Sequence, residues 1–85
     1  MPILKLEDIF SSKGWDTRKR ILEELLKSPS TAYSLSRRLN LNYSTVRYHL
    51  YLLEKFGLVK SEKNGKGVYR ITKQGIQWLN IYNRE

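Results

Sequence analysis

The 85-residue chain contains no cysteine, only one histidine and only two prolines. Without thiols it can form neither a disulfide nor a thiolate metal site, and a reducing cytoplasm suits it. A chain this short must then be held by one small hydrophobic core. A single histidine beside eight carboxylates offers no evident nucleophile–base pair or acid–base dyad, and there is no glycine-rich phosphate loop. Neither an enzyme nor a cofactor is expected. Long apolar runs are also missing. The longest uncharged stretch, Gln74–Asn83, is rich in Asn and Gln and reaches about half of the ~20 residues a membrane span needs. The start, Met1-Pro2-Ile3-Leu4-Lys5, lacks the apolar centre of a signal peptide. The expectation is one soluble, cytoplasmic domain that uses neither membrane nor metal.

The most telling absence is of negative charge. No acid occurs between Glu24 and Glu54. Residues 1–26 hold five basic and five acidic side chains, whereas residues 27–73 hold ten basic ones against Glu54 and Glu62 and so carry the whole net charge of +8. A surface made merely soluble mixes both signs. Charge segregated along the chain instead builds a local positive potential suited to a polyanion, and double-stranded DNA is the partner expected.

What is present follows a clear order. Ile3, Leu4, Leu6, Ile9 and Phe10 form a short apolar stretch, compatible with a helix, that ends near Ser11-Ser12-Lys13-Gly14. Asp16 can cap a helix with Ile21, Leu22, Leu25 and Leu26 in one stripe, closed by Ser28-Pro29. Ser30 or Thr31 then caps a short helix with Ala32, Leu35 and Leu39 inward. Asn40-Leu41-Asn42 makes a turn in which Asn40 takes the left-handed conformation, Leu41 points inward and Asn42 caps the next helix. That helix, 42–56, places Tyr43, His49, Leu50, Leu53 and Phe56 within about 80° of Val46 on a helical wheel. Its other side carries Ser44, Arg47, Tyr48, Tyr51 and Lys55. Two helices joined by so short a turn form a helix-turn-helix.

After Gly57 the apolar period changes from 3.6 to 2. Leu58–Glu62 and Val68–Ile71 read as strands around an Asn64-Gly65 turn, the strongest short hairpin signal. Thr72 opens a last helix to about Asn83. The fold class is α+β, mostly α: a winged helix-turn-helix with a three-helix core, a two-stranded hairpin wing and an extra terminal helix. The divisions are a 1–15 extension, a 16–71 core and a 72–85 dimerisation helix.

These residues also carry a family resemblance. Ser44-Thr45-Val46-Arg47-Tyr48-His49-Leu50, Leu53-Glu54 and Gly57-Leu58-Val59 resemble the recognition-helix signature of ArsR-like winged helix-turn-helix regulators, especially small archaeal ones. Thr17-Arg18 before Ile21-Leu22 is similar to the family's first helix, and Gly67-Val68-Tyr69-Arg70-Ile71-Thr72-Lys73-Gln74-Gly75 to its second wing strand and the turn after it. The resemblance spans about residues 16 to 76 and implies a DNA-binding transcriptional regulator. Metal-sensing members carry a cysteine pair in the second helix; here that region reads Ala32-Tyr33-Ser34-Leu35-Ser36, so a sensor of that type is not expected. Asn40 stands where the family often has glycine.

In a helix-turn-helix the second helix enters the major groove with its first residues against base edges. Ser44, Thr45, Arg47 and Tyr48 are placed for that. Arg47 either forks onto a guanine or meets a phosphate. Tyr48 and Tyr51 can bond phosphates, pack on sugars or cover apolar surface. Thr31 and Tyr33 sit where the second helix begins and can meet phosphate. Of Arg37 and Arg38 at its other end, one is expected to reach a phosphate and the other to complement the helix dipole. Lys63 and Lys66, flanking the turn of a 62–68 wing, and Arg70 on its second strand suit a backbone or minor-groove contact. Arg18, Lys19 and Arg20 crowd a helix N-terminus, where cations are disfavoured; an exposed face is expected, with phosphate contact the other use. His49 reads as a packed, hydrogen-bonded histidine.

Both ends are richer in apolar groups than so small a core needs. In the last helix Ile76, Leu79 and Tyr82 form one stripe while Trp78 and Ile81 fall outside it, and Ile3, Leu6 and Phe10 add to the excess. Ile3, Leu6, Phe10, Ile76, Trp78, Leu79 and Tyr82 are therefore expected to make a two-fold homodimer on an inverted-repeat site. The alternatives are a monomer with both ends folded back, an architectural DNA-binding protein of little sequence choice, and a protein-interaction winged helix. No effector pocket is legible.

Overall fold

A computed structural model describes residues 14–62 and 67–83, with backbone alone at 82 and 83. The order is α1 (Trp15–Lys27), β1 (Ser30–Thr31), α2 (Ala32–Arg38), α3 (Tyr43–Lys55), β2 (Val59–Ser61), β3 (Val68–Ile71) and α4 (Lys73–Asn83). The apolar stretch Ile3–Phe10 and the wing-tip Lys63 and Lys66 lie outside the described residues, as does the side chain of Tyr82.

Helix α1 ends where Pro29 removes a donor and holds Ser28 extended (φ −168°, ψ 151°). The chain then runs as a strand for two residues before turning again. This strand is a departure from the two-stranded wing expected. Ser30 pairs with Tyr69 and Thr31 with Val68, so an antiparallel sheet of order β1-β3-β2 ties the helical layer to the wing. On its other edge β3 pairs with β2, Val59 opposite Ile71 and Ser61 opposite Tyr69.

The helix-turn-helix is set by two matching C-terminal motifs. After α2, Asn40 takes φ 56° and Leu41 N–H bonds back to the Ser36 carbonyl at 2.8 Å. After α3, Gly57 takes φ 79° and Leu58 N–H bonds back to the Leu53 carbonyl at 2.9 Å. Each is a six-to-one closure that turns the next residue, Leu41 or Leu58, toward the core. Thr31 Oγ1 accepts from Ser34 N–H at 3.0 Å to cap α2, and Asn42 Oδ1 accepts from Ser44 N–H at 2.8 Å to cap α3. Helix α1 differs from expectation: Gly14 at φ 100°, not Asp16, stands at its cap, and Asp16 lies in the first turn.

Ile21, Leu22, Leu25, Leu35, Val46, Leu50, Leu53, Leu58, Val59 and Leu79 make the core, with Ala32 and Leu52 at its edge. Two assignments change. Leu26 and Tyr43, expected inward, are 49% and 48% exposed, and Leu52 joins the buried residues. Leu39, Leu41, Phe56 and Trp78 pack half-buried against this core. Helix α4 is seated tightly on the wing base, because a Cβ on Gly75 would overlap the Leu58 carbonyl oxygen. Thr72 fixes its start: its hydroxyl donates to the Gly57 carbonyl at 2.6 Å and accepts from Gly75 N–H at 3.0 Å.

Candidate nucleic-acid interface

The outer face of α3 is built by the inner one. Val46, Leu50 and Leu53 are fully buried, so residues on the opposite side of the 3.6-residue period must face solvent. Ser44, Thr45, Arg47, Tyr48 and Tyr51 are all exposed. Among the described residues Arg47 has no ion-pair or hydrogen-bond partner. The first carboxylate on this helix, Glu54, is already engaged: its Oε2 accepts from the Ser61 backbone N–H at 3.3 Å and hydroxyl at 3.1 Å. That bond ties the end of α3 to β2 and takes the acid away from the helix start.

Helix α2 adds an ordered aromatic–cation pair. Tyr33 is exposed, its hydroxyl oxygen accepts from Arg37 Nη1 at 3.1 Å, and the guanidinium carbon lies 5.8 Å from the ring centroid. Lys55 stands in the same relation to Tyr51, 6.0 Å from its centroid. Thr31 is half-buried, its oxygen used by the α2 cap. Arg38 is engaged within the domain, where Nη2 bonds Ser30 Oγ and Nε lies 3.7 Å from Glu24 Oε1. It joins α2 to α1 while its side chain stays 42% exposed, whereas Arg37 bonds Tyr33 on its own helix. Arg70, expected on the nucleic acid, makes a 2.6 Å ion pair with Glu62 across the base of the wing.

Arg18 overturns the expectation of an exposed cation. It is only 5% exposed, and its Nε–H donates to His49 Nδ1 at 3.1 Å across the α1–α3 junction. Burial and the adjacent guanidinium hold His49 below its ordinary pKa of 6.5, and burial lowers that of Arg18. The sequence did carry one sign of this contact. A cation at a helix N-terminus opposes the dipole and needs another partner to offset that cost. Arg20 is turned to the fold as well, its Nη2 donating to the Leu39 carbonyl at 3.0 Å. Glu24 serves two cations, Lys27 at 2.9 Å and Arg38; the Lys27 hydrogen bond is the main cause of its lowered pKa.

The residues expected at a dimer contact are divided by the structure. Leu79 is 1% exposed in its own domain's core, which removes it from any surface contact. Ile76 and Trp78 are half-buried, and Ile81 stands out at 55% exposure. Among the described residues, no helix is long and apolar enough to cross a membrane, and no group of three His, Cys, Asp or Glu side chains could hold a metal.

The structure is similar to regulators of known architecture. The transcriptional repressor BigR from Xylella fastidiosa superposes with a TM-score of 0.74 at 21% identity, over 93% of this chain and 77% of that one. A transcriptional regulator from Clostridium thermocellum gives 0.73 at 22% identity, over 96% of this chain and 86% of that one. In sequence, the chain is 38% identical over 76 residues to an uncharacterized HTH-type transcriptional regulator of Methanocaldococcus jannaschii. That match covers 89% of this chain and 18% of the relative. A second M. jannaschii protein is 34% identical over 72% of this chain and 41% of its own length, so the chain spans less than half of either curated relative. Residues 16–61, more than half of the sequence, match the family described as bacterial regulatory protein, arsR family. The chain belongs to the arsR family, whose winged helix-turn-helix is that of DNA-binding transcriptional regulators.

Proposed function

We propose that the chain binds double-stranded DNA sequence-specifically as a homodimer on an inverted-repeat site. Helix α3 lies in the major groove, Tyr33 and Arg37 meet the flanking phosphates, and the 62–68 wing rests on the backbone or in the minor groove. The observation that carries this reading is the exposed face of α3, where hydroxyls, phenols and an arginine with no partner among the described residues stand together with no free carboxylate. A protein-binding face would gain nothing from excluding acids, whereas a phosphate backbone repels them. The dimer rests on α4, whose span from Gln74 to Asn83 has no charged residue and which leaves Ile81 in solvent. A two-fold axis there sets the recognition helices one helical turn of DNA apart, ~34 Å.

Selection of bound fragments from a random duplex library tests the reading. The expected winner is an inverted repeat bound by two copies, with affinity falling by about 10³-fold or more between 50 and 200 mM salt. Equal recovery of all sequences would leave only an architectural role, and a flat salt response would point to a protein partner.

A further inference from the structure

If α3 enters the major groove, its exposed side chains limit which bases it can read. Adenine is read by an amide that donates and accepts together, and cytosine by a carboxylate. The only amide at the start of α3 is that of Asn42, whose Oδ1 is committed to the Ser44 N–H at 2.8 Å. The only carboxylate, Glu54, lies at the far end of the helix and holds Ser61. Both readings are closed by bonds the fold itself requires.

The hydroxyls of Ser44 and Thr45 can bond to either donors or acceptors and so select little by themselves, and two selective readings stay open. Arg47 is the one exposed side chain of α3 with a fork of donors, which matches guanine O6 and N7. Tyr48 offers an apolar surface. It is 56% exposed, and its ring meets His49 at 5.5 Å between centroids and 62° between planes. His49 is in turn anchored by Arg18 at 3.1 Å, so the inner edge of the Tyr48 ring is braced while its outer surface is open. Tyr51 is less available, because Lys55 stands over its ring. Thr45, three residues before Tyr48 and on the same flank, adds a methyl group. The only apolar group on the major-groove edge of any base pair is the C5 methyl of thymine.

From this geometry we infer that Tyr48, aided by Thr45, is a specificity-determining residue that reads thymine methyl groups beside a guanine read by Arg47. The half-site is therefore a guanine with adjoining thymines. The inference rests on the major-groove reading above, and its test separates the two. Duplexes selected from a random library are compared with copies in which uracil replaces thymine, a change that removes only the C5 methyl. Copies with 7-deazaguanine, which lacks N7, probe Arg47.

The wild-type protein should lose about threefold to fourfold in affinity per contacted methyl, the equivalent of one buried carbon. Tyr48→Phe should keep that loss, because the ring remains. Tyr48→Ala should bind the thymine and uracil duplexes equally, and Arg47→Ala should retain the methyl effect while ignoring 7-deazaguanine. The base substitution is made on the DNA, so its result does not depend on how well a variant folds. A selected half-site without thymine, or equal wild-type affinity for thymine and uracil copies of a site whose selectivity needs Arg47, overturns the role of Tyr48 and leaves the groove reading standing. Failure of the wild-type protein to prefer any duplex overturns both.

Discussion

Helices α1 and α3 are both thirteen residues long, and each buries one stripe of aliphatic side chains in the same core. Their outer faces are used in opposite ways. On α1 several charges are engaged within the domain. Arg18 holds His49, Arg20 holds the Leu39 carbonyl, and Glu24 holds Lys27 and Arg38. On α3 the one acid is engaged at the helix end, and Arg47 is left without a partner among the described residues. A helix can thus be charged for the sake of its own domain or for the sake of something outside it. Net charge does not distinguish the two; the pairing does.

The strongest way to break the comparison is through the faces that should behave alike. Leu22→Ala on α1 and Leu50→Ala on α3 each empty a fully buried site and should cost about 2–5 kcal/mol in denaturant unfolding. A markedly smaller loss for Leu50 would mean that α3 is not part of one cooperative core. The outer faces should then part company. Arg47→Ala should weaken binding to a selected site by about 1–3 kcal/mol while leaving the thermal midpoint in place. Arg20→Ala should do the reverse, losing about 1 kcal/mol of stability with its hydrogen bond and leaving DNA affinity unchanged. Equal loss of affinity for selected and random DNA on Arg47→Ala would reduce that residue to a phosphate contact.

The helix starts differ more gently. Asn42→Ala removes a side-chain cap and should cost about 1 kcal/mol, whereas Asp16→Ala removes only a dipole contact, ~0.3–1 kcal/mol, from a helix capped by Gly14. Comparable losses in thermal melts would restore Asp16 as a cap.

The smallest expected effect lies where the two helices meet. Because His49 is held below 6.5 in the fold, the unfolded chain takes up that proton first as pH falls. Stability from this site is complete above about 6.5 and is lost as pH drops through the folded-state value. Unfolding in denaturant at a series of pH values should show that slope, and His49→Gln should flatten it. Glu24, also held below its ordinary range, extends the acid loss to lower pH in both proteins.

Much of the fold is written in local chemistry. The left-handed Asn40, the Asn42 cap, the stop at Gly57 and the opening at Thr72 each depend on a few consecutive residues, and all stand as the sequence predicts. Helix α3 is legible for the same reason. The candidate interface residues are only partly so. A wheel places Arg47 and Tyr48 outward, but it cannot say that Arg38 will turn to Glu24 or that Arg70 will pair with Glu62. It also puts Tyr43 inward, although that ring is 48% exposed, because the neighbours that cover one side of α3 are not spread evenly along it.

By itself the sequence determined the order of the helices and the two wing strands, the ends of α2 and α3, the acid-free block and the family, since each is a matter of composition or of neighbours a few residues apart. Only the tertiary structure decided the rest. It paired Ser30 and Thr31 with Tyr69 and Val68, buried Arg18 against a histidine 31 positions away, drew Leu79 into its own core and closed Gly75 onto the wing. Those contacts join segments that meet only when the chain packs, and the energy of each is set by which groups the whole fold removes from water.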